Sequence, residues 1–167
     1  PIQSATHAMM MLGARTVRQL AGSLLLFENY SRKSPELKEL MLLSLLTANH
    51  ARAAATRLRL QDPEEAHLCG MFRNLGEVLI AGHFPDDYRK IRTLMRDDAR
   101  SEHAATKMVL GFAYADLGVE VSRHWGLPDT VVQGMKARAS ASASITAAGT
   151  AFSHDLTLAL YHVVASP

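Results

Sequence analysis

The chain has 167 residues, 48% of them hydrophobic, with only 6 prolines and 10 glycines, which excludes a fibrous or low-complexity segment and predicts one globular domain over 1–167. Eighteen Lys and Arg against 16 Asp and Glu leave a formal charge of +2, too little to select a polyanion, so no nucleic acid partner is expected. No apolar run reaches the ~18 residues of a membrane span, no charged stretch precedes an apolar signal core, and the lone Cys69 reads as a reduced core thiol, so no membrane association and a cytoplasmic setting are expected.

Abundant Ala, Leu, Met, Arg and Glu, with apolar residues recurring at three and four, predict an all-α fold. Ser4 to Leu12 reads as a short helix closed by Gly13. Ala14 to Glu28 reads as a second, with Val17, Leu20, Leu24 and Phe27 on one face, and the two are expected to pack as a pair. Ser34, Pro35 and Glu36 form a cap, a first-turn proline and a dipole-compatible acid, opening a long central helix to about Leu60. Asp62 to Glu65 repeats that signal at capping-box spacing and leads into a segment through Cys69, Met71, Leu75 and Leu79, which Gly76 could divide. Pro85 starts a helix through Tyr88, Ile91, Leu94 and Met95, followed by a polar turn over 96–100. Ser101 to Trp125 reads as helix interrupted near Gly111, and Gly126-Leu127-Pro128-Asp129 stops it and starts another through Val131, Val132 and Met135. The Ala/Ser run over 139–144 is a loop, and a last helix spans about Ile145 to Val164. The abrupt opening at Pro1 suggests a fragment of a longer protein.

Eight histidines are scattered, with no pair at the spacing that aims two ligands from one helix. His154-Asp155 is read as a solvated or capping pair, and His50 as a partly buried, hydrogen-bonded residue of the central helix. Trp125, the single tryptophan, is expected to pack its indole into the core, and Met9, Met10 and Met11 to fill core. Arg89, Arg92 and Arg96 lie on one helix face, read as solvated.

Two blocks carry more information than composition. Glu64 to Tyr88 reads EEAHLCGMFRNLGEVLIAGHFPDDY and Leu110 to Pro128 reads LGFAYADLGVEVSRHWGLP. With the opening MMMLGARTVRQL and the stretch Leu42 to Ala48, they resemble the HDOD family of bacterial signalling modules over Met9 to about Val164. These modules are degenerate relatives of the HD and HD-GYP metal-dependent phosphohydrolases. The resemblance implies a multi-helix HD-like bundle, here resembling a domain shortened at its N-terminus.

That family pattern carries a His, then His-Asp or His-Asn, then a further His, where the related phosphohydrolases hold metal with His, then His-Asp, then Asp, and the matching positions here are Leu43, Arg73, Asn74 and Tyr114. The family's later His-His pair is replaced within Lys136, Ala137, Arg138 and Ala139. A hard divalent cation wants carboxylate and imidazole ligands, and Arg73 would set a permanent positive charge in its place. The resemblance therefore implies a non-catalytic regulatory domain, with no metal and no cofactor. It would act through signalling proteins, neighbouring domains of the same chain, or a ligand at the degenerate positions, and its oligomeric state is left open. The alternatives are a divergent metal-dependent phosphohydrolase or phosphodiesterase drawing on His50, His154 and Asp155, and a sensor binding a small anionic ligand near Arg73. Against the last stands a simple ion pair between Arg73 and Glu77 at i+4.

Overall fold

Ser34 caps the first described helix: its hydroxyl accepts the Leu37 amide at 3.1 Å, satisfying one of the donors that the first helical turn leaves free. The computed structural model describes residues 34–60, 62–136 and 144–165, and within these it holds eight helices and no strand. They are α1 (Pro35–Arg57), α2 (Pro63–Phe72), α3 (Leu75–His83), α4 (Pro85–Asp97), α5 (Glu102–Leu110), α6 (Tyr114–His124), α7 (Asp129–Gly134) and α8 (Ile145–Ala165). The two helices expected over 4–28, the methionines at 9–11 and the loop over 139–143 lie outside the described residues.

The start signals act as their chemistry predicts. Asp62 accepts the Glu65 amide at 3.0 Å and Ser101 the Ala104 amide at 3.3 Å. The Asp116 carboxylate takes the Ala113 amide at 2.9 Å at the head of α6. Asp62 supplies one half of a capping box, while the Glu65 carboxylate accepts the Thr130 hydroxyl at 2.7 Å and so ties α2 to α7. Two boundaries differ from expectation. Helix α1 stops at Arg57, because Arg59 turns left-handed at φ 53. The break between α2 and α3 falls at Arg73 and Asn74 rather than at Gly76, because Gly76 is needed inside α3 for a helix crossing.

Helix α1 is central and packs on α2, α3 and α8. Leu37, Leu40 and Met41 join Val78, Ile80, Tyr88, Ile91 and Tyr114 in one core cluster. Leu68, Cys69, Phe72 and Leu75 join Val131 and Met135 in a second. Each fully buried Leu or Ile contributes about 1.5–3 kcal/mol from apolar burial. Small residues set the closest approaches. A Cβ on Gly70 would lie 2.6 Å from the Ala48 Cα, and one on Gly76 would lie 1.9 Å from the Tyr114 carbonyl oxygen. Helix α2 thus lies backbone to backbone on α1, and α3 on α6.

Helix α8 meets α1 with a polar face. His50 Nδ1–H donates to the Thr157 hydroxyl at 2.8 Å, and that hydroxyl donates to the Ser153 carbonyl at 2.7 Å. Trp125 departs from expectation: it follows α6 as the capping residue and is 43% exposed. Gly126, at φ 67, reverses the chain there, and Leu127 packs against the second core cluster in its stead.

Candidate functional site

The interruption between α2 and α3 gives the site its shape. Arg73 and Asn74 occupy that break, Leu43 comes from the middle of α1, and Tyr114 opens α6. All four line one cavity of about 360 Å³. The Gly76 contact explains why they meet: α3 presses on the Tyr114 carbonyl, so the α2–α3 break and the head of α6 share a wall. The cavity is completed by Glu39 from α1, Glu77 from α3, Tyr88 and Arg92 from α4, Glu102 from α5, and His154 and Asp155 from α8.

Arg73 does not pair with Glu77. Its Nη1 donates to the Gly134 carbonyl and, at 3.0 Å, to the Lys136 carbonyl. These carbonyls end α7, where a helix leaves acceptors free and carries partial negative charge, so the guanidinium acts as a cap. Its Nε is buried with no hydrogen-bond partner. Burial lowers the guanidinium's proton affinity, and Asp155 and Glu102 partly restore it.

Glu77 receives the Tyr88 hydroxyl at 3.2 Å. Burial pushes its carboxyl up to about 7, with the neighbouring Glu102 adding to the rise and Arg92 opposing it. Tyr114 is 4% exposed and its hydroxyl has no partner. Burial, then the charge of Glu77, raises that phenol well above its ordinary range. His154, read with Asp155 as a solvated or capping pair, is a half-buried wall residue: its Nδ1 lies 3.5 Å from the Thr47 hydroxyl, and burial with Arg73 nearby holds it down to about 4. Asp155 lines the cavity beside it, whereas His50 is absent from the lining and engaged with Thr157. The arginine face on α4 is exposed, as expected: Arg89 pairs with Asp86, Arg96 with Asp97 at 2.7 Å, and Arg92, also exposed, lines the cavity.

Three comparisons bear on this site. The family model described as HDOD domain matches residues 1–141. The chain belongs to the HDOD family. Its structure is similar to that of an HDOD domain protein with unknown function from Geobacter sulfurreducens, at 21% identity and TM-score 0.70, over 93% of this chain and 55% of that one. It is also similar to a protein named "Putative phosphohydrolase" from Shewanella amazonensis SB2B, at 21% identity and TM-score 0.73, over 99% of this chain and 62% of that one. An uncharacterized protein of Treponema pallidum (strain Nichols) is 24% identical over 68 residues, 41% of this chain and 13% of the relative. The chain thus spans little more than half the length of these two solved chains and a small part of the Treponema relative. Helix α8, which brings His154 and Asp155 to the cavity, follows the stretch that the family model matches.

The family's tie to metal-dependent phosphohydrolases raises the question of a metal ion. The residues at the matching positions do not fit one. Leu43 offers no donor atom, Asn74 a neutral amide, Tyr114 a phenol held protonated, and Arg73 a cation fastened to two carbonyls. Among the described residues, no three His, Cys, Asp or Glu side chains converge closely enough to hold a metal ion. Nor is any helix there long and apolar enough to cross a membrane.

Sequence reasoning missed Glu39, Glu77, Tyr88, Arg92 and Glu102 as cavity residues. Their signal was weak, since acids and arginines on amphipathic helices ordinarily face water.

Proposed function

We propose that this HDOD domain is a non-catalytic regulatory module of bacterial, cytoplasmic signal transduction, acting through a ligand or a protein partner rather than through chemistry. The observation that carries the reading is Arg73: at a position matching the family's metal-site histidine, a guanidinium caps α7 through the Gly134 and Lys136 carbonyls. An enzyme of the related phosphohydrolase type needs a water held on a metal among imidazoles and carboxylates, and a fixed cation there opposes it.

The cavity also supports the ligand form of the reading. It is of small-ligand size and is mixed in polarity, with buried polar atoms that no protein group satisfies. Partners of the protein kind would be neighbouring modules, such as the receiver or kinase domains that HDOD domains accompany.

Elemental analysis of the 167-residue chain purified without chelator, with a bis(p-nitrophenyl) phosphate hydrolysis assay on the same sample, tests the proposal. The expected result is substoichiometric metal and no turnover above buffer. Stoichiometric iron, manganese or zinc together with turnover abolished by Asp155→Asn would overturn it and restore the enzyme reading through His154 and Asp155.

A further inference from the structure

The cavity is built unequally in charge. Four carboxyl groups, those of Glu39, Glu77, Glu102 and Asp155, line it against two guanidinium groups, those of Arg73 and Arg92. Arg73 already serves the end of α7 through two carbonyls, and Glu77 receives a neutral donor, the Tyr88 hydroxyl. A second observation is independent of the acids. Tyr114 is 4% exposed, forms part of the cavity wall, and its hydroxyl has no partner. Much of the remaining lining is aliphatic, from Leu40, Leu43, Met95, Met135 and Leu158.

We propose that this cavity binds a small organic cation of the primary alkylammonium class, its ammonium group held among Glu77, Glu102 and the Tyr114 hydroxyl and its alkyl part against the aliphatic lining. This rests on the ligand-binding form of the function proposed above.

The chemistry matches at each point. An ammonium carries three donors and no acceptor, so carboxylate oxygens and an unoccupied phenol oxygen suit it. Tyr88 and Tyr114 add aromatic rings that favour a desolvated cation. A small anion would meet the carboxylate excess and find Arg73 Nη1 already engaged by two carbonyls. A bare divalent ion would need a closer set of ligands than the described residues provide.

Binding should depend on pH. Glu39, Tyr88, Arg92, Glu102 and Tyr114 face Glu77 from the neighbouring helices, while Arg73, His154, Asp155 and His162 complete the wall. Because burial raises the Glu77 carboxyl to about 7, the carboxylate that receives the ammonium forms between pH 6 and pH 8.

Calorimetric titration of the 167-residue chain with n-butylammonium chloride, at constant ionic strength, tests the proposal. Saturable one-to-one binding is expected, ~10-fold tighter at pH 8 than at pH 6 as the Glu77 proton leaves. Glu77→Gln, whose amide oxygen still accepts from Tyr88, should weaken binding at pH 8 ~10-fold and flatten the pH dependence, the loss of one charged hydrogen bond. Tyr114→Phe gives a second variant, expected to weaken binding while preserving the helical circular dichroism. No saturable binding at pH 8, or affinity unchanged in both variants, overturns the proposal. Two further titrants separate its failure from failure of the regulatory reading. Sodium butyrate bound in place of the amine would replace the cation by an anion and leave that reading standing. Manganese bound stoichiometrically, with phosphodiester turnover, would remove both.

Discussion

Gly76 supplies the sharpest quantitative expectation. A Cβ built there lies 1.9 Å from the Tyr114 carbonyl oxygen and 2.7 Å from its carbon, both backbone atoms, with the Gly118 amide nitrogen at 3.0 Å. Ordinary contact begins at 3.4 Å, so Gly76→Ala must open the α3–α6 crossing by about 1.5 Å. No side-chain rotation can relieve the overlap. The shift would loosen Leu75, Leu79 and Val119 in one core cluster and Val78 and Tyr114 in the other. Overpacking with loss of core contacts costs about 3–5 kcal/mol, a fall in Tm on the order of 10 °C for a chain of this length. Two other glycines are internal controls. Gly149 lies within α8 with nothing near its Cβ, so Gly149→Ala should stabilise by about 0.5–1 kcal/mol through helix propensity. Gly111 also has open space, but its φ is +82, and Gly111→Ala should cost about 1 kcal/mol through backbone strain alone. Thermal unfolding followed at 222 nm ranks the three. A Gly76→Ala protein melting within 2 °C of the parent, where roughly 10 °C is expected, would refute the close crossing and with it the shared cavity wall.

Other expectations concern the buried ionisable groups and the cap. Glu77 is raised from 4.5 to about 7 on folding, so the folded state binds its proton more tightly. Its stabilising effect is present below pH 4.5 and is lost as pH rises through 7, by up to about 3 kcal/mol. Calorimetry should find the stability difference between parent and Glu77→Gln changing in the parent's disfavour from pH 5 to pH 8, and a flat difference would contradict the burial. His154 is held down to about 4 from 6.5, so it stabilises the fold above 6.5 and that contribution disappears as pH falls through 4. A proton NMR titration with an imidazole midpoint near 6.5 would place it in solvent instead. Arg73→Met keeps the stem but strands the Gly134 and Lys136 carbonyls, and urea unfolding should register a loss of about 1–3 kcal/mol. Cys69 is fully buried, with its thiol pushed up to about 12. It should resist iodoacetamide at pH 8 until denaturant is added, and rapid native labelling would contradict its place in the core.

Local chemistry determined much of this protein from the sequence alone. Ser34-Pro35, Asp62-Pro63 and Ser101 start helices because a side-chain oxygen satisfies amides in the first turn of the same segment, and Gly111 and Gly126 mark turns because they accept positive φ. The buried Cys69 and the hydrogen-bonded His50 followed from apolar or helical surroundings within their own segments. The resemblance to the HDOD family, rather than local chemistry, singled out Leu43, Arg73, Asn74 and Tyr114, positions that α1, the α2–α3 break and the head of α6 bring to one cavity. The partners of those residues were decided only by tertiary structure. Glu77 is one helical turn from Arg73 and suits an ion pair on a lone helix, yet Arg73 lies in the break before α3 and turns to carbonyls 61 and 63 residues away. His154-Asp155 reads as a solvated or capping pair, and Asp155 is exposed, but nothing within α8 shows that α1 and the α2–α3 break will half-bury His154. Trp125 looks like core until the turn at Gly126 directs Leu127 inward. Capping is an interaction over three or four residues and can be read along the chain, whereas burial of a charge depends on helices that sequence order does not bring together.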